Sequence, residues 1–79
     1  MERVYFLIDT TSGSAEKVAE ALRRKPCVSL VDTVAGAHDV IAVLDRKRES
    51  PAGTVSLEEI RAMGGVDYVT VCVAVRRPD

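Results

Sequence analysis

The segment CVSLVDTVAGAHDVIAVL, residues 27–44, predicts two β-strands joined by a tight turn. Its first part, Cys27–Val34, mixes β-branched and polar residues, whereas Val40–Leu44 is entirely apolar. Between them, Gly36 and Asp39 are residue types that turns favour. Because strands separated by so short a connection pair with each other in antiparallel fashion, the segment predicts a central antiparallel strand pair.

Upstream of this pair, the chain predicts one strand and one helix. Arg3–Ile8 is rich in β-formers and is followed by the turn-rich stretch Asp9–Gly13. Ser14 is a residue type that caps helices, and the following apolar residues recur at i, i+3, i+4 and i+7 until Pro26. These residues are Ala15, Val18, Ala19 and Leu22. The pattern predicts a helix that packs one narrow apolar stripe on the sheet.

Downstream, the pattern repeats with a shorter helix. The stretch Arg46–Gly53 predicts a polar loop, and Ser56–Glu59 has the form of a capping box that opens a helix. Gly64 and Gly65 end that helix, and Val66–Val75 is the longest strand candidate. The order β-α-β-β-α-β is that of a ferredoxin-like α+β domain, here a single domain over residues 1–79. It predicts a four-stranded antiparallel sheet with both helices on one face and the first and third strands at its centre.

Both faces of this sheet are predicted to be apolar, although helices cover only one. Val69, Val71, Val73 and Val75 share one face of the last strand, and Tyr68, Cys72 and Ala74 share the other. An uncovered apolar face is typical of an association surface. A chain of 79 residues buries only a modest share of its surface on folding, so its monomer is expected to be marginally stable. We therefore expect a homo-oligomer that pairs through this sheet face.

Composition excludes several classes of function. Eleven basic and twelve acidic residues give a net charge of −1, which does not favour nucleic-acid binding. One histidine and two separated cysteines cannot form a common zinc site, and no phosphate-binding glycine loop or catalytic triad is present, so no metal, cofactor or enzymatic activity is expected. Both cysteines are expected to be small buried residues in a reducing compartment. No membrane-spanning or signal segment is visible, which predicts a cytoplasmic protein.

The order of the motifs resembles the C-terminal effector domain of the Lrp/AsnC transcription regulators, called the RAM domain. Gly13-Ser14 opens a helix that contains Glu16 and ends in Ala21-Leu22, and Val34–Asp39 is similar to the family's Val-Thr-Gly-x-Tyr-Asp turn. Ala35 stands at the threonine position and His38 at the aromatic one. Gly65-Val66 is similar to the family's entry into the last strand.

The resemblance implies a domain that dimerises through its sheet, often in rings of dimers, and binds an amino acid between subunits near the glycine turn. Met1 leads directly into the first strand, so the chain resembles stand-alone RAM modules that lack the helix-turn-helix. We therefore expect no direct DNA binding, and full-length Lrp/AsnC regulators are candidate partners. The basic clusters Arg23–Lys25, Arg46–Arg48 and Arg76–Arg77 are expected to be a solvated rim, with an anion-binding patch as the alternative.

The candidate ligand-binding residues are Gly36, Ala37, His38, Asp39 and Thr70. Exposed backbone N–H groups at the glycine could bind a ligand carboxylate, and Asp39 could accept from its ammonium group. His38 could make the contact pH-dependent, and Thr70 could reach the ligand or only pair across the sheet.

Three alternatives stay open. The turn chemistry alone explains Gly36 and Asp39 without any ligand. A small dimeric ferredoxin-like enzyme, of the monooxygenase or isomerase type, would use His38 and Tyr68. An RNA-recognition domain has the same topology, but its exposed sheet aromatics are missing where Val69, Val71 and Val73 stand.

Overall fold

The computed structural model describes residues 3–45 and 56–75, and its element order is the predicted one. Four strands and two helices follow in the order β-α-β-β-α-β, as in a ferredoxin-like α+β fold. Their bounds are β1 Arg3–Thr10, α1 Ala15–Arg23, β2 Val28–Thr33, β3 Val40–Asp45, α2 Leu57–Arg61 and β4 Val66–Val73.

The strands form one antiparallel sheet in the spatial order β2-β3-β1-β4. This confirms that the first and third strands are central and the second and fourth are edges. The tight turn in the opening segment joins β2 to β3, which pair from Thr33↔Val40 to Val28↔Leu44.

One face of the sheet forms the hydrophobic core. Val4, Phe6 and Ile8 alternate along β1 as buried residues, and their partners on β3 lie on the same face. The α1 stripe Val18, Ala19 and Leu22 and the α2 residue Ile60 are all fully buried in the same cluster. Because both helices contribute to this one cluster, both cover the same face. Burying each large aliphatic side chain contributes about 2 kcal/mol, so the stripe anchors the helix.

The two helices begin differently. At α2 the predicted capping box forms: Glu59 N–H donates to Ser56 Oγ over 3.1 Å, and Ser56 N–H donates to Glu59 Oε1 over 2.9 Å. At α1, Ser14 occupies the N-cap position, but its side chain makes no capping hydrogen bond. The side-chain cap predicted there is wrong, because the Ser14 hydroxyl instead pairs with Thr11 Oγ1 at 2.8 Å.

The opposite face of the sheet carries no helix in the described part of the chain and is largely apolar, as predicted. We call it the open face. Its apolar residues are Tyr5 and Leu7 of β1, Leu30 of β2, Ile41 and Val43 of β3, and Tyr68 and Cys72 of β4. Leu30 is 52% exposed and Tyr68 is 64% exposed, so the edges of this face are open to solvent in the single chain.

Two expectations about β4 need correction. The strand ends at Val73 rather than Val75, which is 98% exposed beyond it. Val71 and Val73 do lie on the helix side, opposite Phe6 and Val4, but they are 40% and 53% exposed. The reason is length: α2 has five residues and extends about 8 Å, whereas the eight-residue β4 extends about 27 Å.

The cysteines lie at opposite ends of the sheet order. Cys27 is buried just before β2, whereas Cys72 is exposed on β4. The prediction of a buried thiol is therefore confirmed for Cys27 and wrong for Cys72, because the open face has no second layer above it in the single chain. With the edge strands β2 and β4 separated by two others, the two thiols do not pair within the chain.

Candidate functional site

The Gly36 turn, residues 34–39, connects β2 to β3 at one end of the sheet. The backbone N–H of Val34 donates to the carbonyl of Asp39 over 2.8 Å, which closes the turn. Gly36 has φ +143°, a conformation that L side chains rarely adopt, and both Gly36 and Ala37 are exposed. Within the described residues the N–H groups of Gly36, Ala37 and His38 make no hydrogen bond, so they are available to an incoming acceptor.

Asp39 fixes this turn to the end of β1. Its Oδ2 accepts from the backbone N–H of Thr10 at 2.8 Å and from the Thr10 hydroxyl at 3.1 Å. Its own N–H donates to the carbonyl of Ile8 over 3.0 Å. Turn chemistry therefore explains Asp39 in part, as one alternative anticipated. The other carboxylate oxygen, Oδ1, makes no hydrogen bond to a described residue, so one acceptor atom remains for a ligand.

His38 lies beside the open face. Its Nδ1 is 2.9 Å from Asp9 Oδ1, and both side chains are about one-third exposed. The β1–β4 register places Tyr68 directly opposite Asp9. The two residues of the enzyme alternative, His38 and Tyr68, thus flank the same carboxylate, and a carboxylate on Nδ1 orients an imidazole ring.

Thr70 lies on β4, outside the turn that contains the other candidate residues. It is half-buried on the open face opposite Leu7, next to Tyr68 in the same row of side chains along β4. Gly36, Ala37, His38 and Asp39 lie together in one turn. Thr70 is outside this turn, and its relation to the turn is that it lies on the open face, beside which His38 lies.

A shallow depression of about 310 Å³ lies on the helix side of Asp39. The loop between β1 and α1 and the first turn of α1 form its wall; the lining residues are Thr10, Thr11, Ser12, Gly13, Ala15, Glu16 and Asp39. The sequence had assigned the loop residues only to a turn, so their part in this depression was missed. The available signal was the run of hydroxyl side chains, Thr10 to Ser12, directly before a helix.

The depression combines two kinds of charge. Asp39 and Glu16 contribute carboxylates, while the first N–H groups of α1 supply the positive end of a helix dipole without a side-chain cap. Such a pairing complements a small zwitterion, which carries an ammonium and a carboxylate. Within residues 3–45 and 56–75, no cluster of three His, Cys, Asp or Glu side chains could hold a metal ion.

The basic clusters are only partly visible. Arg23 pairs with Glu20 at 3.2 Å, and Lys25 lies 3.8 Å from Glu59. These partners suit a solvated rim. The other two clusters, Arg46–Arg48 and Arg76–Arg77, lie outside the described residues. Among the helices that are described, none is long and apolar enough to cross a membrane.

No protein-family profile and no curated protein sequence matches the chain. Solved crystal structures do match. The hypothetical protein PHS023 from Pyrococcus horikoshii has 22% identity and a TM-score of 0.73, over 98% of this chain and 93% of that one. FFRP-DM1 has 23% identity and a TM-score of 0.73, over 95% of this chain and all of that one.

A longer structure matches as well. MtbAldR has 17% identity and a TM-score of 0.63 over 98% of this chain, which spans about half (53%) of its length. At these identities the likeness concerns the fold. Because FFRP-DM1 and MtbAldR are proteins of the Lrp/AsnC type, the chain has an Lrp/AsnC-like fold.

Proposed function

We propose that this chain is a cytoplasmic, non-enzymatic regulatory module that binds an amino acid or a related small metabolite between its subunits. The observation that carries the proposal is Asp39, a carboxylate that Thr10 holds in place at the rim of a depression with one oxygen still unbonded. The unbonded N–H groups of Gly36 and Ala37 lie in the same turn. Together these groups offer an acceptor for an ammonium and donors for a carboxylate.

An intersubunit location follows from exposure. Gly36 and Ala37 are exposed in the single chain, and the depression beside Asp39 is shallow. A small ligand bound there would stay largely hydrated, whereas ligand sites bury most of their ligand. A second subunit that packs on the apolar open face and extends past the Gly36 turn to the helix side of Asp39 would supply the missing wall. The module would then act by assembly, as a dimer or a ring of dimers, and could join full-length Lrp/AsnC regulators through the open face.

The ligand is tested by a thermal-shift screen of the twenty amino acids and common metabolites. A ligand that binds only the folded state at one hundred times its Kd adds about 2.7 kcal/mol of stability. The informative variant is Asp39→Asn, which keeps an oxygen acceptor for Thr10 but removes the charge. The matched control is Asp32→Asn, an exposed carboxylate on β2.

We expect at least one amino acid to raise the melting temperature of the wild type and of Asp32→Asn but not of Asp39→Asn. If no compound shifts the wild type at millimolar concentration, or if Asp39→Asn responds normally, the ligand site is elsewhere or absent. Sedimentation equilibrium tests the assembly: Leu30→Lys, which puts a charge on the open face, should dissociate the oligomer. A folded wild-type monomer at micromolar concentration would contradict the proposal.

The enzyme alternative rests on one observation, the 2.9 Å contact between His38 and Asp9 with Tyr68 opposite. The lining of the depression contains neither His38 nor Tyr68. The two functions differ in the fate of the ligand. Mass spectrometry after prolonged incubation should recover the ligand unchanged from a regulatory module, and chemical conversion that His38→Asn abolishes would establish the enzyme.

A further inference from the structure

The two edge strands of the sheet are protected very differently. Edge strands present unpaired backbone groups to solvent, and proteins usually block them with charges, bulges, prolines or a covering element. β2 is blocked in several of these ways, whereas β4 has a bulge and a charged residue, Asp67, only at its beginning, before Tyr68. This difference concerns a surface distinct from the open face and from the ligand site.

β2 carries a bulge, a charge and a covering side chain. Its register with β3 shifts between Val28 and Leu30, and Asp32 is exposed on the strand. Since Val34 N–H bonds Asp39, the alternation of an antiparallel ladder turns the carbonyl of Val31 outward. The guanidinium of Arg23 donates to that carbonyl at 3.3 Å, so α1 covers the middle of this edge.

Within residues 3–45 and 56–75, β4 has none of these devices between Tyr68 and Val75. The backbone N–H of Ala74 donates to Arg3 on β1, so the ladder uses alternate residues, and the N–H and C=O groups of Val69, Val71 and Val73 point away from β1. No described hydrogen bond uses these outward groups. The side chains are exposed valines on the helix side and Tyr68 and Cys72 on the open face. The strand therefore presents both free hydrogen-bonding groups and uncovered apolar surface.

The four valines are arranged symmetrically about Cys72. In an antiparallel pair of identical strands centred on Cys72, Val71 lies opposite Val73 of the second copy and Val69 opposite Val75, so every valine meets a valine. Facing apolar pairs of this kind stabilise sheets. A pair centred on Val71 would instead place the charged Asp67 opposite Val75. The sequence is thus self-complementary in one register.

We propose that β4 pairs edge to edge with β4 of a second copy of this chain, around a two-fold axis at Cys72, to form a continuous eight-stranded sheet. This interface uses the backbone edge and the helix-side valines, and it does not depend on the ligand or on the open-face contact proposed above. A chain with both interfaces could extend beyond a dimer.

Cys72 provides a direct test of the register. In this pairing the two Cys72 residues form a non-hydrogen-bonded pair with Cα atoms about 4.5 Å apart, at the near limit of disulfide geometry. Diamide takes two protons and two electrons from two thiols, and one S–S bond forms. We expect a covalent Cys72–Cys72 dimer in the wild type and in Leu30→Lys, in which the open face is disrupted. Cys72→Ser should form none.

Val73→Lys is the variant that should break the edge, because lysine on an exposed edge strand opposes strand pairing. Its matched control is Thr33→Lys, at an exposed position of the already blocked β2 edge. We expect Val73→Lys to lose the cross-link and Thr33→Lys to keep it. A cross-link that survives in Val73→Lys but disappears in Leu30→Lys would assign Cys72 to the open-face contact and overturn the edge proposal alone.

Amide hydrogen exchange gives a second measurement that needs no substitution. Edge pairing should slow exchange of the Val71 and Val73 amides by about tenfold or more as protein concentration rises, because each would donate to the second copy. The amides of Thr70 and Cys72, bonded within the chain, should change much less. Fast exchange at Val71 and Val73 in a sample that sedimentation shows to be oligomeric would overturn the edge pairing and leave the open-face proposal standing.

Discussion

Two glycine turns, around Gly36 and Gly65, meet the same end of β1, and they differ in what surrounds them. Both glycines have positive φ, +143° and +96°. A Cβ on Gly65 would lie 2.8 Å from Ser14 Cβ, whereas a Cβ on Gly36 would meet nothing within 4 Å. The Gly65 residue is therefore restricted by packing as well as by its backbone conformation, whereas Gly36 is restricted by its backbone conformation alone. Of the two, only the Gly36 turn has free space around its glycine for a ligand or a partner.

The Gly65 turn should be the more sensitive. Gly65→Ala combines a backbone conformation that alanine avoids with a contact that requires β4 or α1 to shift, and we expect a loss of about 3 kcal/mol in the free energy of unfolding. Gly64→Ala is the matched control, because its Cβ would meet only Lys17 Nζ at 3.8 Å. Urea unfolding measures both. Equal losses in the two variants would show that the contact with Ser14 is unimportant.

The next effect concerns the attachment of the Gly36 turn. Asp39→Ala removes the acceptor for both Thr10 groups, and hydrogen bonds to a partly exposed carboxylate of this kind contribute about 1–2 kcal/mol together. Asp39→Asn keeps one acceptor oxygen and should lose less. If both variants unfold at the wild-type urea concentration, Asp39 does not hold the turn, and its conformation must come from the backbone.

Gly36→Ala should lose about 1 kcal/mol, because the cost is confined to the backbone and no atom stands in the way of the new Cβ. Its effect on ligand response should be larger than its effect on stability, since the turn amides would be reoriented. A chain with normal stability and normal ligand response would remove the Gly36 turn from the site. Gly36→Ala should therefore reduce the ligand response more than the free energy of unfolding, whereas Gly65→Ala should reduce both together.

The sequence predicted the fold because its local signals agree with one another. The apolar run Val40–Leu44 needs burial on both faces and is central in the sheet, and the α1 stripe is buried as its spacing required. The exposure of Val71 and Val73 could not be predicted, because it depends on how far a five-residue helix extends along an eight-residue strand. Periodicity assigns a face but does not say whether anything covers it.

The site was predictable only in part for a related reason. Gly36 to Asp39 are contiguous in sequence, so the turn carried its own signal. The contact of His38 with Asp9 and that of Asp39 with Thr10 join residues 29 positions apart, and they depend on the β1–β3 register. The turn at Thr10–Gly13 was predicted from its residue types, but its position beside Asp39 depends on the pairing of β1 with β3.

An effect no larger than that of Gly36→Ala is expected at the start of α2, the helix that leads into the Gly65 turn. Ser56→Ala removes the capping box and should lower the free energy of unfolding by about 1 kcal/mol.

The pKa of Glu59 is lowered from its ordinary value of 4.5, first by the hydrogen bond from the Ser56 backbone and further by attraction to Lys25. A lowered pKa in the folded state means that this contribution is present above pH 4.5 and disappears as the pH falls through the folded value. Glu59→Gln should therefore unfold with a weaker dependence on acid than the wild type. Because Glu59 is exposed, salt should weaken the Lys25 part while leaving the Ser56 hydrogen bond, so a pH dependence that vanishes entirely at high salt would show that the charge pair, rather than the cap, fixes the helix that enters the Gly65 turn.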